Sequence, residues 1–163
     1  NRMKKIIVFA FLIWLFNSCT NNINIAQEEE AIKAVIENET NSYLQKDIEQ
    51  RSKSFLHDES VIVLVSGKRN YGYAVGFKQI LKSQKMSVKN NPIASTNKFK
   101  NLNYKIKVYE KSAWAVYNEM LYSSSGEFIE KVINARFLEK IDGEWKIVYL
   151  SHVDTTSYEA MEE

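Results

Sequence analysis

The chain has 163 residues, 45% hydrophobic and 26% charged, which is the size and balance of one domain with a real core. Its 22 basic and 20 acidic residues nearly cancel, and past residue 2 the only arginines are Arg51, Arg69 and Arg136, so no dense basic stripe is available to track a nucleic-acid backbone. The single cysteine, Cys19, rules out an intramolecular disulfide and a thiolate metal cluster.

The N-terminus has the layout of an export signal. Met3-Lys4-Lys5 is basic, Ile6 to Phe16 is unbroken apolar, and Asn17-Ser18-Cys19 follows. As a helix the apolar run would cover about 16 Å, roughly half a bilayer core. With Leu15 and Ser18 ahead of Cys19, the segment resembles a lipoprotein signal, and residues 1–19 are expected to end in a lipidated Cys19. Acyl chains there would anchor the protein to the bilayer of a bacterial envelope, facing the periplasm or the outer membrane. Arg2, Lys4 and Lys5 leave with the signal, so the mature domain carries 19 basic against 20 acidic residues. A short polar tether, 20–26, then leads to one domain over 27–157 and a tail at 158–163.

Helix spacing of Ile32, Val35, Ile36, Tyr43 and Leu44 predicts a helix from Glu28 onward, with Glu28 to Glu30 at its positive end. Asp47 is placed to cap a second, short helix with Ile48, Ser52 and Phe55 facing inward. Ser60 to Ser66 is β-branched and predicts a strand, and Gly67, Gly72 and Gly76 break the chain around Tyr71 and Tyr73. Phe77, Ile80 and Leu81 predict a third helix ending before Asn90-Asn91-Pro92. Four strands follow: Leu102 to Tyr109, Ala113 to Ser123, Phe128 to Ile141 and Trp145 to Val153, with Asp142-Gly143 as a tight hairpin. The order describes an α+β domain, helices on one face of a curved antiparallel sheet.

Helix, Asp47, helix, strand, then Gly76-Phe77-Lys78-Gln79-Ile80 opening a third helix, then long hairpins ending in Asp142-Gly143-Glu144-Trp145-Lys146-Ile147-Val148-Tyr149: this sequence resembles the NTF2-like superfamily, its SnoaL-like branch in particular. The resemblance covers roughly 27–157. It implies an NTF2-like cone, three N-terminal helices packed on a curved antiparallel sheet, with a pocket between them and often a homodimer. It implies no single activity, because the fold hosts isomerases, cyclases, dehydratases, hydrolases and binding modules. Ketosteroid isomerases of the superfamily use a helix-1 tyrosine, a carboxylic acid and a first-strand carboxylate base. Those tyrosine and base positions fall here at Thr40 and near Val63, and neither matches.

The candidate ligand-binding residues are Tyr43, Tyr71, Tyr73, Trp114, Asn134, Arg136, Tyr149 and Ser151. Amphipathic rings such as these, with Tyr104 and Tyr117, suit either a pocket or a mixed core. Arg136 admits two readings: a cross-strand ion pair with Glu130 or Glu119 on the convex face, or a fork that holds a ligand's carboxylate or phosphate in the concave pocket beside Asn134. Tyr149 and Ser151 share a face with Trp145 and Ile147, and the resemblance implies that this is the concave face. His152 and Tyr149 are the candidate catalytic groups, His152 as a pocket acid–base or an edge histidine. A Ser151–His152–Asp154 triad is disfavoured because neighbours on a strand point to opposite faces. His57 and His152 lie on different elements, so no metal set and no cofactor is expected. Three functions stay open: binding of a small amphipathic molecule without catalysis, general acid–base chemistry of the SnoaL-like kind, or a protein–protein adaptor in an envelope complex.

Overall fold

The computed structural model describes residues 23–67 and 71–155; the expected signal segment and lipidated Cys19 lie outside them. Helix α1 (Ile25–Gln45) starts where the Asn24 side chain accepts from the Gln27 amide, which takes Ile25 and Ala26 into the helix rather than the tether. It ends at Lys46, in the left-handed conformation that closes helices. Its apolar stripe buries Ile32 and Ile36 completely, each burial contributing about 2–3 kcal/mol. Asp47 caps α2 (Ile48–Lys53) by accepting from the Gln50 amide at 2.9 Å. The Gln50 side chain does not return the bond; it donates to Asn38 of α1 at 2.8 Å and locks the two helices together.

The sheet has six strands, not five. Between the glycines, Tyr71–Val75 forms β2, a partner for β1 (Ile62–Ser66). The flanking glycines hid this short strand, yet Tyr71, Tyr73 and Val75 are good strand formers at alternate positions. Helix α3 (Phe77–Asn90) opens at Gly76, whose φ of +83° calls for glycine, and stops before Pro92. Then come β3 (Lys98–Val108), β4 (Ser112–Tyr122), β5 (Phe128–Ile141) and β6 (Glu144–Asp154). The strand order is β2-β1-β6-β5-β4-β3. All pairs are antiparallel except β1 with β6. Asp142 and Gly143, both at positive φ, make the β5–β6 turn.

Helix α1 lies across the inner face of this curved sheet, over a core of Ile32, Ile36, Phe55, Ala113, Ala115, Leu138, Trp145 and Ile147. Glu28 fixes its N-terminal half: one carboxylate oxygen accepts from Lys140 at 2.6 Å and the other from the Trp145 indole at 2.7 Å. The segment after α3 crosses the other end, where the Ser95 amide donates to the Leu44 carbonyl.

A bulge in β6 decides which residues face α1. Phe137 pairs with Tyr149 but Leu138 pairs with Ile147, so Val148 is an extra residue. Alternation slips by one at that point. Trp145 and Ile147 face inward, and beyond the bulge Leu150 and His152 do so, opposite Arg136 and Asn134. Tyr149 and Ser151 therefore fall on the outer face, which corrects the expectation that they share a side with Trp145 and Ile147.

Replacing Glu28 by Ala strands the indole and ammonium donors together. Urea denaturation is expected to show a loss of about 1–3 kcal/mol.

Candidate functional site

The polar interior is built around Glu39. It sits one turn beyond Ile36 on the apolar stripe of α1 and is 3% exposed. Arg51 of α2 reaches one of its oxygens, with Nη2 at 2.6 Å and Nε at 2.7 Å. Arg136 of β5 reaches the other at 3.3 Å. Burial alone would raise the Glu39 carboxyl, but the two guanidiniums, Arg51 ahead of Arg136, outweigh it and hold the group below its usual value. Arg136 also donates to Asn134 Oδ1 and to the carbonyls of Ala135 and Ser151. Neither reading of Arg136 from the sequence describes it fully. It faces inward, but Glu39 takes its charge, and neither Glu130 nor Glu119 forms its ion pair.

Around Arg136 the inner faces of β3, β4 and β5 bring polar groups into one patch. Tyr117 and Asn134 are direct cross-strand partners, as are Glu119 and Asn101. Tyr104 stacks on Tyr117 with ring centroids 4.8 Å apart, and the Arg136 guanidinium lies 5.6 Å from the Tyr117 ring centroid. Thr40 donates to Glu119 at 3.4 Å. Burial, then repulsion from Glu39, pushes Glu119 up to about 7, against Arg136 and the Thr40 hydroxyl. Burial also lifts Tyr104 to about 12 and Tyr117 well above the ordinary phenol range. His152 borders the patch opposite Asn134, and burial followed by Arg136 depresses its basicity. The Tyr117 hydroxyl, Asn134 Nδ2 and Arg136 Nε are buried with no hydrogen-bond partner among the described residues, while the Asn101 side chain and the Tyr104 hydroxyl lie beside one another and the Asn101 contact partly offsets the effect of burial on Tyr104.

The expected ligand set divides. Asn134 and Arg136 belong to the interior patch. Tyr43 lies on α1 at the helix junction, with the Arg51 cation 4.6 Å from its ring. Tyr71, Tyr73, Trp114 and Tyr149 do not line the interior. Tyr71 and Tyr73 are 80% and 61% exposed on β2, and Trp114, 45% exposed, packs on the outer face against Phe137 and Tyr149. Period-two alternation puts Tyr71 and Tyr73 beside Leu64 and Ser66 rather than beside Val63 and Val65. Ser151, buried on that outer register, contributes only its carbonyl to Arg136. Of the two catalytic candidates, His152 stays at the interior and Tyr149 does not. His57 stacks on Phe77 at 3.9 Å, and among the described residues no cluster of three or more His, Cys, Asp or Glu is placed to hold a metal.

Glu39, Thr40, Arg51, Glu119 and Asn101 were not singled out from sequence as site residues. A signal existed for two of them: Glu39 interrupts the Ile32–Ile36 stripe, and Glu119 shares the alternation of Ala113, Ala115 and Tyr117.

With this geometry in hand, comparison with solved structures is informative. A cystatin-like-fold protein of unknown function from Nostoc punctiforme superposes with a TM-score of 0.67 at 14% identity, covering 81% of this chain and 94% of the other. A candidate dehydratase of the NTF2-like family from Streptomyces avermitilis gives 0.65 at 14% identity, covering 80% and 98%. An NTF2-like protein of unknown function from Pseudomonas putida gives 0.64 at 13% identity, covering 80% and 87%. The fold is NTF2-like. No protein-family model and no curated protein matches the chain, so the likeness is one of architecture.

Glu119 yields a signed pH prediction. Its folded value of about 7 lies above the ordinary 4.5, so folding favours the protonated acid. That contribution is fully present below about pH 4.5 and is lost as pH rises through 7. Glu119→Gln removes this slope: between pH 5 and 8 the variant should gain about 2–3 kcal/mol relative to the wild type, read as the difference between urea curves. Parallel pH dependence in the two proteins would contradict it.

Proposed function

We propose that this domain binds a small polar or amphipathic molecule inside the cone, between α1 and the inner faces of β3 to β5. One observation carries the reading: Tyr117, Asn134 and Arg136 bury polar atoms that have no partner among the described residues, on one face. Each such atom costs about 1–3 kcal/mol if nothing meets it, and native interiors leave few of them unmet. A patch of donors and acceptors next to aromatic rings suits the lining of a ligand site. Native mass spectrometry of the full chain in detergent, after exposure to a bacterial envelope extract, tests this. A retained small mass that disappears in the Asn134→Leu variant is the expected result; a clean protein mass in the wild type sinks the reading.

The same reading reverses the usual sign of a core mutation. Tyr117→Phe removes a hydroxyl that has no partner, so calorimetry should find stability unchanged or raised by up to about 1 kcal/mol. Ligand retention should fall at the same time.

A second reading adds proton transfer at the same site. The Glu119 carboxyl, poised near neutrality, is able both to give and to take a proton at pH 7. The Streptomyces neighbour named as a candidate dehydratase makes this chemistry worth assaying here. Turnover would carry an apparent pKa near 7 that is absent in Glu119→Gln. The export signal supplies the location part of the proposal, a domain tethered to the envelope by an acylated Cys19. The mass of the mature N-terminus decides that part, and a free Cys19 thiol would refute it.

A further inference from the structure

A second polar feature lies on the other side of Glu39, where α1, α2 and α3 meet. A half-open cleft lies there between Tyr43 of α1, Lys46 just past its end, Arg51 of α2, and Gln84 and Val88 of α3, with about 20 Å³ of room, enough for a single water. Gln84 is 8% exposed, and neither its amide nitrogen nor its amide oxygen has a hydrogen-bond partner. An amide left in that state is matched by a ligand that offers an acceptor and a donor side by side.

The cations at the cleft are Lys46 and Arg51, and the acids are Asp47 at its rim and Glu39 behind Arg51, so the formal charges balance; Arg51 is paired with Glu39, which leaves Lys46 as the cation open to an anion. Arg51 spends Nε and Nη2 on Glu39, and among the described residues its Nη1 has no bond. Among the described residues the Lys46 ammonium meets the face of the Tyr43 ring, at 5.3 Å, and no acid. The one acid at the rim, Asp47, already caps α2 through the Gln50 amide. The last carbonyls of α1 are also occupied: Ser42 and Tyr43 accept from Asp47 and Lys46, and Leu44 accepts from Ser95. Tyr43 is half exposed, and with Val88 and Ile48 it gives the cleft an apolar wall.

We propose that this cleft is a binding site for small carboxylic acids that carry a hydroxyl or amino group on the neighbouring carbon and a flat or branched apolar body. The carboxylate takes the Lys46 ammonium, the free Arg51 Nη1 and the Gln84 Nε2–H; charge-assisted bonds of this kind supply most of the recognition. The neighbouring hydroxyl or amine donates to Gln84 Oε1. The apolar body lies along Tyr43, whose partly exposed ring must turn outward to admit it. The site is independent of the interior ligand, because Glu39 and Arg51 stand between the two.

The test uses the full chain, labelled with nitrogen-15, and two probes: 3-phenyllactate and its uncharged amide, 3-phenyllactamide. Phenyllactate at about 10 mM, enough to fill a millimolar site, should shift the Gln84 side-chain amide signals saturably. The uncharged amide and the Lys46→Met variant should each weaken binding about tenfold. Gln84→Leu, which removes an unpaired buried amide and is expected to fold, should abolish binding as read from the backbone amide shifts of Ser87 and Val88, which also line the cleft. Asn134→Leu should leave it unchanged, which separates this site from the interior one. Equal binding of the two probes, no saturable shift, or loss in Asn134→Leu but not in Lys46→Met would each overturn the proposal.

Discussion

The Glu39 carboxylate is the point through which the rest of this structure is held. It joins α1 to α2 through Arg51 and α1 to the sheet through Arg136, with almost no water contact. A charge so placed is tolerable only while both cations stay in position, because losing one partner of a buried pair costs about 3–5 kcal/mol. The same carboxylate divides the polar groups of the molecule into two territories. Inward lies the patch around Tyr117 and Glu119; outward lies the helix junction around Tyr43 and Gln84. Each territory borders one of the two arginines, and each contains buried polar atoms without partners. Stability and binding are therefore coupled through one side chain.

Much of the architecture could be read from the sequence because it rests on local periodicity. The α1 stripe, the Asp47 cap, the Asp142-Gly143 turn and the alternation of Tyr104, Ile106 and Val108 each express a rule that spans only a few residues. What could not be read depends on distance or on register. The Glu39–Arg136 pair joins residues 97 apart, and nothing near Arg136 announces it. Its nearest acids in the strand pattern, Glu119 and Glu130, were the natural guesses, yet one is pushed toward neutrality instead and the other is raised by burial and Asp154. Tyr149 and Ser151 were misplaced for a different reason: one extra residue changes the phase of everything beyond it.

The outer sheet face is where the misread aromatics collect. Trp114, Phe137 and Tyr149 pack there on one another, with Val116 and Ile133 exposed nearby. A pocket reading drew on Trp114 and Tyr149 because their chemistry, apolar body and polar tip, is the same whichever way they point. Only the pleat separates a ligand wall from a surface, and the pleat is invisible in composition. The interior, by contrast, is lined by two asparagines, a glutamate and two tyrosines, made significant by burial.

The bulge at Val148 gives β6 an adjustable reading frame. Upstream of it the strand presents odd-numbered residues to the interior; downstream it presents even-numbered ones. Shifting that extra residue two places along the strand would exchange which side chains line the cone without replacing any of them. A lineage carrying this sheet is thus able to try new interior chemistries by insertion and deletion, keeping its vocabulary of residues and changing only where each is pronounced.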